Sequence, residues 1–168
     1  MRLIDPMLME FDREASTTRK LLERMPDVRL AWKPHPKSMT LQGLSWHLAT
    51  IPAWVAAGVL LDGADLATRA KVPAPDTTAA IVEGFAANCA AAKGAMNQLD
   101  DTKLLASWKL SAGGIPILEM PRAAFLRSLL LNHSVHHRGQ LSVYLRLIDV
   151  PVPSIYGPTA DENPFGKG

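Results

Sequence analysis

One face of a helix is written along the start of the chain. Ile4, Leu8, Phe11, Ala15, Thr18, Leu22 and Met25 step by four and three, the spacing of residues that share one side of an α-helix. A helix with such a face must bury it against something. The same period returns three times. Leu44, His47, Leu48, Ile51 and Val55 form a second stripe, and Val82, Phe85, Cys89, Ala92, Met96 and Leu99 a third. Leu126, Leu130, His133, His137, Leu141, Tyr144 and Ile148 form the fourth. Four amphipathic helices can bury their stripes against one another, so the period predicts an all-α fold, a four-helix bundle.

Between the stripes the sequence is punctuated. Asp5-Pro6 reads as a cap and first-turn proline for the first helix, and Pro26 as its end. LAWKPHPKSMT (30–40) reads as a loop that leaves His35 exposed between two prolines. Ser38 or Thr40 caps the second helix, in which Pro52 predicts a kink or a change of register after His47. The stretch from Asp62-Gly63 through Pro73 and Pro75 reads as an irregular connection, and Asp76 or Thr77 caps the third helix. Residues 104–120 break the pattern. Two short alternating pieces flank Gly113-Gly114, which predicts a β-hairpin before the last helix. Pro121 is placed as the first residue of that helix, which runs to about Ile148. The Pro/Gly-rich C-terminal tail, VPVPSIYGPTADENPFGKG, is not helical.

Composition narrows the function classes. A chain of 168 residues suits one domain and can bury a core without disulfides. Cys89 is the single cysteine, which excludes an internal disulfide and fits a reducing compartment. The net charge is +2, and Arg19-Lys20 is the only adjacent basic pair, so no patch is expected to track a nucleic-acid backbone. Asp5, Glu10 and Asp12 stand where a signal peptide needs an apolar run, and IPAWVAAGVLL (51–61) is too short to span a bilayer. The expected setting is cytoplasmic, away from membranes.

The chemistry concentrates in NHSVHHRGQ (132–140), which holds three of the five histidines. His133 and His137 lie one helical turn apart on the stripe that faces the interior, and His47 lies on the interior stripe of another helix. Two readings compete. In one, the three imidazoles hold a divalent ion and leave it coordinatively open, so a water or a bound thiol can be activated. Imidazole suits zinc, nickel, iron or copper, and the sequence does not choose among them. In the other, His47 is a hydrogen-bonded core or cap histidine and the pair is a partly exposed polar notch. His136 lies about a hundred degrees round the helix from His137 and reads as a residue supporting a ligand or an interface. Gln140 either donates a hydrogen bond into the cavity or sits at the surface. Arg138 reads as a solvated or tail-pairing cation, and Cys89 as a small buried hydrophobe. Trp32, Trp46, Trp54 and Trp108 read as packing.

LSWHLAT (44–50), NHSVHHRGQLSVYLRL (132–147) and VPSIYGPTADE (152–162) together resemble the DinB-like proteins of bacteria. The resemblance covers nearly the whole chain in order and implies a single domain over residues 1–168. It implies a divalent metal ion (zinc, nickel or iron) held by His47, His133 and His137, and a homodimer. Some relatives are metal-dependent thiol transferases that use low-molecular-weight thiols, so the resemblance implies a thiol S-transferase or a hydrolase-like detoxifying enzyme acting on a small molecule. A metal-binding protein without catalysis, and a dimeric interaction protein with a vestigial site, remain the alternatives.

Overall fold

Helix α1 (Asp5–Leu22) starts at the expected proline, and it buries Met7, Leu8, Phe11, Leu21 and Leu22. In the computed structural model, which describes residues 1–166, its cap differs from the expectation. Ile4 holds the cap position without a side-chain bond, and the Asp5 carboxylate accepts from the backbone N–H and the guanidinium of Arg2 instead. Asp5 is already inside the first turn, so its carboxylate serves the residues before it.

Helix α2 (Leu41–Gly58) is capped by Thr40, whose hydroxyl accepts from the Gly43 N–H at 3.0 Å. The helix runs unbroken through Pro52. Proline cannot donate to the Leu48 carbonyl, and Asn88 of the facing helix supports the neighbouring Ala49 carbonyl at 3.0 Å. Helix α3 (Thr78–Met96) is capped by Thr77 and packs along α2. Its buried face is Ile81, Phe85, Ala92, Ala95 and Met96.

The connection after α2 is more regular than its composition predicts. It contains strand β1 (Gly63–Asp65) and a single 3-10 turn, Leu66–Thr68. After α3 comes a short helix, α4 (Asp101–Leu105), capped by Asp100, so the first residues assigned to the hairpin are helical. Strands β2 (Ser107–Ala112) and β3 (Ile115–Pro121) then form the antiparallel hairpin, and β1 joins β2 in parallel to give the order β1-β2-β3. Gly113 and Gly114 have φ of 59° and 80°, the paired left-handed conformations of a tight two-residue hairpin turn. The chain is therefore mostly helical, and its sheet is the expected hairpin extended by one strand, β1. The Asp65 carboxylate locks the sheet's corner by accepting from Ala67, Gly113 and Gly114 N–H groups at 2.7–2.8 Å.

Pro121 ends β3 instead of beginning the last helix. The helix starts one residue later as α5 (Arg122–Phe125), widens into a π-helical segment (Leu126–Asn132), and tightens again into α6 (His133–Leu147). π segments inside longer helices recur at functional sites. This one puts Leu126, Leu130 and Leu131 into the core immediately before His133. Trp108 of β2, 1% exposed, stacks on Phe125 and donates to the Gly58 carbonyl, tying sheet to helices. Among the described residues no helix is long and apolar enough to cross a membrane.

Candidate metal centre

Helices α2 and α6 bring His47, His133 and His137 together, with one ring nitrogen of each within 4.8 Å of the others. Nε2 of His133 lies 3.2 Å from Nε2 of His47 and 2.9 Å from Nε2 of His137. Each nitrogen of a neutral imidazole is either a donor or an acceptor, and an acceptor nitrogen has one lone pair. Nε2 of His133 therefore cannot make a good hydrogen bond to both neighbours at once. A cation among the three nitrogens satisfies all of them. The far nitrogen of His137 bears on this. Its Nδ1–H donates to Gln140 Oε1 at 2.7 Å, which leaves Nε2 with a lone pair turned into the cluster. That is the arrangement by which a ligating histidine is oriented from behind. Gln140 is exposed, as one of its two expected placements had it, and it accepts from the site and does not donate into it. Nδ1 of His133 is buried without a hydrogen-bond partner.

The electrostatics keep the rings neutral. Burial, then the fields of His137, His133 and Arg69, lower the pKa of His47 from 6.5 to about 4. Burial is also the leading cause that lowers His133, with the Leu129 carbonyl pulling weakly the other way. His137 is lowered by burial, partly offset by its bond to Gln140. Neutral imidazole is the form that binds metal. No carboxylate or thiolate joins the cluster among the described residues, so the donor set is that of a borderline transition ion. The three histidines could hold such an ion and leave it open to a further ligand.

The other residues singled out in the sequence separate cleanly. His136 is exposed and lies edge-on to His137, ring centroids 4.8 Å apart, with its nitrogens outside the cluster. Arg138 takes the tail-pairing role of the two expected: at 1% exposure it binds the hydroxyl of Tyr156 in the tail and also pairs with Glu14 of α1 at 2.5 Å. Tyr156 in turn donates to Glu14 at 2.7 Å. The Cys89 thiol is pushed up to about 12 by burial and by Asp12, which makes it inert. His35 is exposed in its loop.

Two residues that the sequence reading left out of the site stand beside it. Trp54 presents its ring 5.9 Å from His47 and 6.0 Å from His133, and Arg69 lies over that ring at 3.6 Å. Trp54 follows His47 by seven residues, two helical turns, so the shared face could have been read. Arg69 lies in a connection without periodicity and left no signal. A groove lined by Glu23, Met25, Val28, Thr78 and Val82 lies between the end of α1 and the start of α3, away from the histidines.

The DinB family model matches residues 3–164. The chain is 29% identical over 163 residues to the uncharacterized protein YrdA of Bacillus subtilis (strain 168), covering 95% of this chain and 91% of that one. The crystal structure of a DinB-like protein from Bacillus cereus ATCC 10987 superposes with a TM-score of 0.71 at 26% identity, covering 89% of this chain and 95% of the other. A second DinB-like protein, YjoA of Bacillus subtilis, gives a TM-score of 0.71 at 19% identity over 90% and 97% of the two chains, a likeness of fold.

Proposed function

The chain belongs to the DinB family, and from that premise we propose a metal-dependent enzyme that holds one divalent ion, zinc, nickel or iron, with His47, His133 and His137. The reaction class is transfer of a low-molecular-weight thiol to an electrophile, or a hydrolase-like detoxifying step. The observation that carries the reading is the convergence of three Nε2 atoms, which no carboxylate joins among the described residues. When bound, the metal supplies Lewis acidity, which lowers the pKa of a coordinated water or thiol.

The chain's own part is to orient and to shield. Gln140 holds the His137 ring, and the Trp54 ring stands beside His47 and His133. The four long helical runs are read as a four-helix bundle in one domain over residues 1–168, the last two lying outside the described residues. A homodimer in the cytoplasm completes the proposal.

The test is made on protein without a histidine tag. Consumption of a simple thiol in the presence of 1-chloro-2,4-dinitrobenzene should be accelerated by the metal-loaded protein. It should fall to background after chelation and recover on adding metal back. A rate indifferent to chelation would refute metal-dependent transfer.

A further inference from the structure

The connection from β1 to α3 carries Arg69 to the Trp54 ring, close enough for its charge to act on His47 and His133, and is pinned on both sides of Arg69. Before it, Asp65 fastens the 3-10 turn to the hairpin through Ala67, Gly113 and Gly114. After it, Trp46 Nε1 donates to the Val72 carbonyl at 3.0 Å, and Gln42 donates to the Pro75 carbonyl at 2.9 Å. Trp46 is itself held, because α3 packs so close at Gly84 that a Cβ there would meet its ring at 2.8 Å. Arg69 therefore rides on a fixed strap, not a free loop.

Its guanidinium lies over Trp54 at 3.6 Å, close enough for cation–π attraction to hold it flat. Packing there removes part of its water and lowers its pKa, though an arginine stays charged. It enters none of the ion pairs among the described residues. Three neutral imidazoles also bring no negative charge, so an ion held by them would keep its full charge. The site thus carries positive charge beside it that no ion pair among the described residues neutralises, in a planar fork shaped for a carboxylate.

We infer that Arg69, held over Trp54 beside the three histidines, receives the carboxylate of a small anionic thiol whose sulfur reaches the histidine cluster. This rests on the metal-site reading above and adds the charge of the substrate. Arg69 would be a specificity-determining residue that leaves the donor set intact.

Cobalt(II) is the probe, because thiolate ligation to it gives an intense near-ultraviolet charge-transfer band. Cobalt-loaded protein is titrated with 3-mercaptopropionate and with its neutral analogue 3-mercapto-1-propanol, in wild type and in Arg69→Gln. Wild type should bind the carboxylate thiol more tightly, by roughly fivefold or more, the worth of one partly desolvated ion pair. Arg69→Gln should lose that preference while keeping its cobalt affinity and its affinity for the neutral thiol. No thiolate band with either thiol would overturn the inference together with the thiol-transfer reading. Equal binding of the two thiols by wild type would overturn the inference alone. So would a preference that survives in Arg69→Gln, since chelation of cobalt by the carboxylate would then explain it. Failure of wild type to bind cobalt would overturn the metal-site reading, and this inference with it.

Discussion

His137 owes its role to its far nitrogen. With Nδ1–H committed to Gln140, Nε2 has no proton and faces its two neighbours. Gln140 is exposed, so Gln140→Leu removes the orienting acceptor without opening the core. Metal affinity should fall by about 10-fold or more, the usual effect of losing a bond behind a ligand, as read by chelator competition. An unchanged affinity would show that the ring is held by packing alone. The lowered pKa of His47 carries its own consequence, with a definite sign. The unfolded ring takes a proton near 6.5 and the folded one near 4, so acid favours the unfolded chain between those values. The contribution of His47 is therefore present above about pH 6.5 and lost as pH falls through about 4. Urea midpoints of metal-free protein should drop across that window, and His47→Asn should flatten part of the drop. A midpoint that is level from pH 7 to 4 would contradict the burial of the ring.

Among the elements, β1 is short and depends on a close approach. A Cβ at Gly63 would sit 2.5 Å from the Lys109 carbonyl, and that contact is backbone, which cannot turn aside. Gly63→Ala should cost roughly 2–3 kcal/mol in denaturant unfolding, while Gly94→Ala, with nothing near its Cβ, should not destabilise. Equal effects at the two positions would mean that the β1–β2 pairing contributes little. The same contrast shows what the sequence could convey. Long periodic stripes identify α1, α2, α3 and α6, and Thr40, Thr77 and Gly113-Gly114 mark their boundaries and the hairpin turn. Three residues of β1 are too few to show a period. The π segment is silent for another reason, since Leu126, Leu129, Leu130 and Leu131 can bury themselves under either winding. Of the two roles open to Arg138, pairing with the tail is the one it takes, through Tyr156; its ion pair with Glu14 left no trace, because α1 lies more than a hundred residues away.

For the molecule as a whole, the Arg138–Glu14–Tyr156 knot joins α6, α1 and the tail, its ion pair buried and Tyr156 exposed at its edge. Arg138→Ala leaves the Glu14 carboxylate buried without its cation, which should cost about 3–5 kcal/mol, measured by urea unfolding. Glu14→Gln keeps a polar partner for Arg138, but the guanidinium loses its counter-charge, so it too should destabilise. If neither variant did, the tail would be an appendage. The knot lies next in sequence to His137, so one turn of α6 both fastens the fold and presents the site. The interior stripes set His47, His133 and His137 on two helices, the resemblance implied them as one donor set, and their ring nitrogens lie side by side. Whether those nitrogens hold an ion is the central claim. The most direct measurement is metal stoichiometry after equilibrium dialysis of untagged protein against a divalent transition ion. Wild type should bind one equivalent, His47→Ala, His133→Ala and His137→Ala should each lose most of it, and His136→Ala should keep it. Binding that survives all three substitutions, or that is lost in His136→Ala but not in His137→Ala, would contradict the account.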